Sequence, residues 1–421
     1  MAELLMDEAF ELEMTGHAYG GESFGRAPDG RMVFVPYSIP GERVRVAPAE
    51  VHQRWARARL IEVIEPSPNR TVPRCKHFGA CGGCHYQHMS YPAQVQAKAE
   101  IVRTQLERLG KLHEPPVSAP IASPSPWNTR NNLQFRLGHD GRLSFVAARP
   151  ARAPASNSDS GPLIPIDECH LAAPALDELW HRLDLEAISG LEQVGVRLGE
   201  EGMVVLHASS PPDVELSLEL PASVIWADPL GAQVLAGQGF FPVEVMDRTF
   251  RVSALSFFQV HTQLSQDLVR LCLDALEVDS ADVVFDLYAG VGLFSAFLAE
   301  AGANVIAVEQ SPWACADFET NLEEFDRVEL YESSVETALL AIPQEPTAVL
   351  VDPPRAGLGR QVVQQLVDRH PSRLVYVSCD PSTLARDGRM FANGGYTLES
   401  VTPVDMFPQT FHIETVSVWR R

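Results

Sequence analysis

The first 65 residues alternate apolar and polar positions in short runs. Val33-Phe34-Val35-Pro36 and Val44-Arg45-Val46 read as strands, and Ala56 to Ile64 as a further one. Gly20-Gly21, Pro28-Asp29-Gly30 and Ile39-Pro40-Gly41 are turn signals between such runs. Short strands at this spacing predict a small OB-like β-barrel over 1–65, with Pro66-Ser67-Pro68-Asn69 as a linker. Residues 66–240 form a central α+β region. There Val95, Ala99, Val102 and Leu106 recur on one face and predict a helix over Pro92–Leu109. Asn132–Val146 reads as a hairpin turning at His139-Asp140-Gly141, and Ala151–Pro162 as an exposed loop. Leu171–Ile188 is expected to be helical, with Gly190 as its stop, and Val194–Ala208 to hold two strands. From about 280 the rhythm becomes strand–helix alternation. Strands are expected at Val283–Tyr288, Val305–Val308, Ala348–Val351 and Leu374–Val377, with helices reaching Ala301 and spanning Pro312–Leu322. Tyr396–Pro403 and His412–Trp419 read as a closing hairpin. This pattern predicts a doubly wound α/β domain over 241–421, with its ligands at the carboxyl ends of the strands.

Composition narrows the picture. The chain has 421 residues, 45% of them hydrophobic, which suits several globular domains and excludes wholesale disorder. No run of about 20 uncharged apolar residues occurs, so no membrane partner is expected. The acidic N-terminus does not read as a secretory signal, and the expected location is the cytoplasm. The formal charge is −22, against which two segments are locally basic. Arg26 to Lys76 holds ten basic and five acidic residues, and Arg130 to Arg152 holds five arginines and one aspartate. Such strips on a negative body can hold an anionic polymer, although a solvated face would read the same way.

Candidate chemistry falls at four places. Asp286-Leu-Tyr-Ala-Gly290-Val-Gly292 follows the first strand of the alternating region, and Glu309 ends the next strand nineteen residues after Gly290. Glycines here let a backbone approach a ligand at a helix N-terminus, and the carboxylate can accept the hydroxyls of an adenosine ribose. Both NAD and S-adenosyl-L-methionine fit that description, although Ser295 stands where a dinucleotide fingerprint wants a third glycine. Asp352-Pro353-Pro354-Arg355 makes a stiff turn at a later strand end. Cys379, in Ser378-Cys-Asp-Pro-Ser-Thr383, ends a strand just before a helix N-terminus, where the helix dipole is expected to favour a thiolate nucleophile. Glu414 stands among apolar residues and reads either as an ion-pair partner or as a carboxylate base with a raised pKa. Finally, Cys75, Cys81 and Cys84 cluster, with Cys169 further on, a set able to ligate zinc or a four-iron cluster. His77, His85 and His88 nearby are expected to face solvent or an anionic polymer rather than to bind metal.

Taken in order, Ser256-Phe-Phe-Gln259, Asp286-Leu-Tyr-Ala-Gly-Val-Gly, Asp352-Pro-Pro-Arg, Ser378-Cys-Asp-Pro-Ser-Thr and Phe407-Pro-Gln-Thr-Phe-His-Ile-Glu-Thr resemble the RNA uracil-5-methyltransferase family. The resemblance spans nearly the whole chain and is specific in combination. It implies a Rossmann-like class I methyltransferase domain behind a TRAM barrel. It further implies Cys379 as nucleophile at uracil C6, Glu414 as the base that removes the C5 proton, and S-adenosyl-L-methionine held by Gln259, Tyr288, Gly290, Glu309 and Asp352. Cys-Gly-Gly-Cys84 followed by Gln87, with Cys169 in Ile-Asp-Glu-Cys-His, implies a structural [4Fe–4S] cluster on Cys75, Cys81, Cys84 and Cys169. The implied partner is structured RNA, ribosomal in preference to transfer RNA, with no obligate protein partner. A cytosine-5 enzyme would be expected to carry a second cysteine beside the Asp352-Pro-Pro turn, which this chain lacks. A non-catalytic RNA-binding or redox-sensing iron–sulfur protein is the other reading, opposed by the intact Cys379 and Glu414. Departures from the family pattern are His261, where many members have asparagine, and Ala289 and Leu293 in the glycine loop.

Overall fold

The computed structural model describes residues 8–138, 140–148, 161–185, 190–209, 221–228 and 231–421. His139 and most of the segment read as an exposed loop lie outside them, as does the end of the helix expected up to Ile188. The chain divides into two compact units. The first runs up to Ile101 and includes Phe135–His170 and Phe407–His412; the second holds Val102–Gln134, Leu171–Met406 and Ile413–Arg421.

The first unit opens with β1 (Phe10–His17), β2 (Glu22–Arg26), β3 (Met32–Pro36), β4 (Arg43–Val51) and β5 (Trp55–Glu65). They close into a barrel in the order β1-β2-β3-β5-β4. Strict alternation drives it: Leu12, Met14, Val33, Val35, Val44, Val46, Ala56 and Ala58 point inward and form its core. The outward arginines are largely spoken for. Arg43 bonds Glu11 at 3.2 Å, Arg45 bonds Glu62 at 3.2 Å, and Arg57 bonds Glu22 at 3.4 Å. Arg70 reaches buried Glu42 at 2.7 Å and the Tyr37 carbonyl at 2.9 Å. Much of the basic excess read between Arg26 and Lys76 is therefore neutralised by cross-strand carboxylates rather than presented as bare cations.

Helix α1 (Tyr91–Arg108) follows, and the boundary between the units falls inside it. Strands β6 (Asn132–Leu137), β7 (Leu143–Val146) and β8 (Leu163–Pro165) pair antiparallel in the first unit through Arg136↔Ser144 and Phe145↔Ile164.

In the second unit α2 (Pro174–His181) is much shorter than the helix expected from Leu171. Pro174 sets its start, and the Arg182 N–H folds back onto Leu179 and Trp180 to end it. Strands β9 (Leu191–Leu198), β10 (Gly202–Ala208), β11 (Ala222–Asp228) and β12 (Gly231–Ala236) lie side by side, with only β10 and β11 parallel. A hairpin of β13 (Phe240–Val245) and β14 (Arg248–Ser253) leads to α3 (Thr262–Leu276).

The alternating part then runs β15 (Val283–Leu287), α4 (Leu293–Glu300), β16 (Asn304–Glu309), α5 (Pro312–Asn321), β17 (Val328–Glu332), α6 (Val335–Ala341), β18 (Ala348–Val351), α7 (Gly359–Arg369), β19 (Arg373–Ser378), α8 (Pro381–Asn393), β20 (Thr397–Val404) and β21 (Glu414–Arg420). Its sheet order is β17-β16-β15-β18-β19-β21-β20, parallel except where β21 enters. Val284, Phe285, Val349, Leu350, Val375 and Val377 are fully buried, as expected of a parallel sheet covered on both faces. The chain reverses its direction of travel across the sheet between β15 and β18. A crevice forms at such a switch point, beyond the carboxyl ends of these strands.

Candidate active site

Asp286, in β15, is fully buried. Its Oδ2 accepts the Ser295 hydroxyl at 2.6 Å, and among the described residues no group bonds its Oδ1. Ser295, which stands where a dinucleotide fold would want glycine, therefore serves as a partner for this carboxylate. Burial pushes the Asp286 carboxyl up to about 7, against the Ser295 hydrogen bonds and with help from Glu309.

The glycine loop turns sharply past β15. Tyr288 (φ 66), Gly290 (φ 57) and Gly292 (φ 91) all occupy the left-handed region. At Gly292 a Cβ would sit 2.3 Å from Leu322 Cδ1, so glycine is required for the loop to close on α5. Glu309 ties this loop down: its Oε2 accepts the Gly290 N–H at 2.9 Å, and its Oε1 accepts the N–H groups of Gln310 and Ser311 at 2.8 Å each.

Across the switch point, Asp352 follows β18. Its Oδ2 accepts the side-chain amide of Gln259 at 3.3 Å. Burial, and then Asp286, push its carboxyl up to about 7. Tyr288, Gly290, Glu309 and Asp352 thus lie on neighbouring strand ends and the loops that follow them, and Gln259, from the segment before α3 in the same unit, reaches Asp352.

Cys379 sits half-buried between β19 and α8. Glu414 opens β21 and is 4% exposed; no described group bonds its Oε1. The electrostatics bring the two together. Burial pushes the Cys379 thiol up to about 12; Glu414 and Asp352 reinforce that shift, and Arg355 opposes it. The Glu414 carboxyl is raised well above its ordinary value by burial and then by Asp352, again opposed by Arg355. The expectation that a helix dipole would favour the thiolate is not met. The first N–H groups of α8 are already occupied, because the Asp380 side chain caps Ser382 at 2.8 Å and Thr383 at 3.2 Å. Burial and two carboxylates then outweigh what remains of the dipole. Arg355 has a role that the sequence did not assign: it supplies the positive potential that favours the ionised forms of both groups. Its position next to the Asp-Pro-Pro turn was the available signal.

The cysteine cluster lies in the other unit. Gln87 Oε1 accepts the Cys75 N–H at 3.0 Å, which gives that glutamine its place. The Lys76 N–H donates to Glu168 at 2.8 Å, and Asp167 bonds both Lys76 Nζ at 2.6 Å and His77 at 2.7 Å. These ties bring the Cys75 segment against the Cys169 segment. The Gly83 N–H donates to Cys81 Sγ at 3.3 Å. Burial pushes the Cys75 thiol up to about 11, opposed by the His77 N–H and reinforced by Glu168 and Cys169. The donor chemistry and the backbone N–H on sulfur suit an iron–sulfur cluster. Even so, among the described residues no three His, Cys, Asp or Glu side chains gather as a metal-holding group. Of the histidines expected at solvent or an anionic polymer, His77 is engaged with Asp167 and His88 is buried, with its Nε2 3.4 Å from the Ser38 carbonyl. Burial lowers His88 to about 4, so it is a neutral core residue.

Comparison with known proteins agrees with this geometry. Residues 238–421 match the model of the tRNA (uracil-5-)-methyltransferase family, and residues 8–61 match the TRAM domain. An uncharacterised RNA methyltransferase of Streptomyces coelicolor is 33% identical, covering 98% of this chain and 93% of its own length. One from Caldanaerobacter subterraneus is 30% identical over the whole of both chains. Among solved structures, the tRNA (uracil-54, C5)-methyltransferase of Pyrococcus abyssi, in complex with S-adenosyl-L-homocysteine, shares the fold. Its TM-score is 0.73 at 24% identity, covering 97% of this chain and 99% of that one. The chain belongs to the S-adenosylmethionine-dependent RNA uracil-5-methyltransferase family, with a TRAM barrel before a Rossmann-like catalytic domain.

Proposed function

We propose that this chain methylates C5 of a uracil in structured RNA, with Cys379 as nucleophile and Glu414 as base. The observation that carries the proposal is the convergence of Cys379, Glu414 and Asp352 at the carboxyl end of the sheet: Ser378 pairs with Thr415, Glu414 and Asp352 both raise the Cys379 thiol, and Asp352 raises the Glu414 carboxyl. Uracil C5 is a poor nucleophile. The Cys379 thiol releases its proton to solvent and its sulfur bonds C6, while the C5–C6 electron pair moves onto the carbonyl system as an enolate. Methyl transfer to C5 follows; S-adenosylmethionine supplies the group from its sulfonium. Glu414 then takes the C5 proton, the C5–C6 double bond re-forms, and the sulfur–C6 bond breaks. Both groups must be ionised when they act, which is the task assigned to Arg355. Gln259, Tyr288, Gly290, Glu309 and Asp352 are the proposed cofactor contacts. The base has to leave its stack to reach a half-buried thiol, so a flipped or loop nucleotide is the expected target.

Ribosomal RNA is the favoured substrate, and transfer RNA the second reading, favoured by the name of the matching family. The cytoplasm is the proposed location; among the described residues no helix is long and apolar enough to cross a membrane. The TRAM barrel is proposed to bind the RNA. Cys75, Cys81, Cys84 and Cys169 are proposed to hold a structural [4Fe–4S] cluster, supported by their donor chemistry. Anaerobically purified protein should be brown, with about four irons per chain; a colourless, zinc-loaded protein would overturn the cluster. Nucleoside mass spectrometry of RNA from cells with and without the gene tests the function. Loss of 5-methyluridine from one mapped ribosomal position is expected, loss from transfer RNA selects the second reading, and unchanged 5-methyluridine throughout contradicts both.

A further inference from the structure

The turn from Ser253 to Ser256 leaves β14 after the Phe240↔Ser253 pair, with the Ala254 N–H still donating to the Gly239 carbonyl at 3.1 Å, and delivers the chain to Gln259. Two buried charges grip it from opposite sides. Arg197, in β9, donates to the carbonyls of Ser253 at 3.2 Å, Ala254 at 2.8 Å and Ser256 at 2.7 Å. Asp317, fully buried in α5, accepts the Ser253 N–H at 2.7 Å, the Ser253 hydroxyl at 2.7 Å, the Ser256 hydroxyl at 2.6 Å and Arg251 Nε at 3.0 Å. One charge satisfies acceptors and the other donors, so the turn can be held in one arrangement only. The same helix continues the hold through Asn321. Its side chain brackets Arg251, accepting the N–H at 2.8 Å and donating to the carbonyl at 3.0 Å, and it donates to the carbonyl of Val291 in the glycine loop at 2.9 Å. Helix α5 begins three residues after Glu309. Beyond the turn, Phe258 is buried in the core, and Gln259 reaches Asp352.

We propose that Asp317 and Arg197 are positioning residues for the cofactor site: they hold the 253–256 turn so that Gln259 meets Asp352, and α5 thereby sets the Gln259 arm, the glycine loop and Glu309 in one frame. This rests on the reading of Gln259 as a cofactor contact, and it adds residues that none of the family-like motifs contains. A purely structural role would cost stability without acting through Gln259. A double-mutant cycle separates the two. S-adenosylmethionine affinity is measured calorimetrically for the full-length wild type, Asp317→Asn, Gln259→Ala and the double variant, with urea unfolding alongside. Coupled neighbours deviate clearly from additivity, so Asp317→Asn should weaken binding about tenfold in the wild type and less than about twofold in the Gln259→Ala background. Ser256→Ala, which removes a single bond onto Asp317, keeps the cycle readable should Asp317→Asn not fold, with a smaller loss in the same pattern.

Equal losses in both backgrounds, or lowered stability with unchanged affinity, would overturn the positioning role. An unchanged affinity of Gln259→Ala alone would instead remove the cofactor contact on which the inference stands, as would a wild type that binds no S-adenosylmethionine.

Discussion

The sheet end that carries Cys379 and Glu414 and the loops that carry Cys75, Cys81, Cys84 and Cys169 hold their side chains in different ways. In the sheet, Asp286, Asp352, Cys379 and Glu414 are each fixed at or just past the end of a buried strand, whose register allows no slippage. These residues sit side by side with buried oxygens on Asp286 and Glu414 that no described group bonds. The cysteine segments are held by loop hydrogen bonds instead: the Cys75 N–H donates to Gln87, the Lys76 N–H to Glu168 and the Gly83 N–H to Cys81 Sγ. A strand end fixes a side chain through the register of the whole sheet, whereas a loop fixes it through a few local bonds.

If the sheet end is a preassembled nucleophile and base, removing the sulfur should be the most damaging change there. Cys379→Ala should lower 5-methyluridine formation on substrate RNA by about four orders of magnitude or more while leaving S-adenosylmethionine binding intact. Retained turnover would break the contrast at its root. Next in size is the glycine loop. Gly292→Ala forces a Cβ toward Leu322 at a left-handed φ. A loss of about 2 kcal/mol in urea unfolding, with weakened cofactor binding, is expected from strain of this kind; unchanged stability would mean that the loop is more pliable than its contacts with α5 suggest.

The ionisation pattern sets the sign of the pH dependence. Cys379 and Glu414 are both held toward their protonated forms and both have to ionise, so the single-turnover rate should rise across pH 6–8, by up to about tenfold per pH unit for each group whose ionisation limits the rate. A rate that is flat or falling in that window would contradict the proton inventory. The smallest effect concerns Asp286. Its folded pKa is raised, so its ionisation opposes folding increasingly as pH climbs from the ordinary carboxylate range through about 7. Asp286→Asn should remove that penalty and raise Tm at pH 8 by about 3 °C relative to wild type, with a smaller difference at pH 5. An equal difference at both values would show that the carboxyl carries no such cost.

Much of this was legible in the chain. Parallel strands ending at Asp352 and Ser378 announce themselves as apolar runs closed by polar residues, and the barrel core follows its period-two pattern. The 222–253 strands did not stand out, because β12 mixes exposed and half-buried positions and mimics loop, and Pro242 is a strand-breaking signal inside β13 although Phe241, Val243 and Val245 are buried there. The helix expected from Leu171 shortened because Pro174 sets its start and the Arg182 cap ends it. The thiol's ionisation was misjudged because the Asp380 cap and the approach of Glu414 are three-dimensional facts. Likewise Arg197 and Asp317, 120 residues apart in sequence, are joined only by the turn that both grip.

The central claim, that Cys379 adds to uracil C6 and Glu414 removes the C5 proton, meets its most direct test in Glu414→Gln protein incubated with S-adenosylmethionine and substrate RNA. Mass spectrometry of the digested mixture should find the peptide containing Cys379 joined to a 5-methylated uridine nucleotide, because methylation precedes the blocked proton removal. A mixture with no linkage, or with linkage at any other residue, would contradict the account.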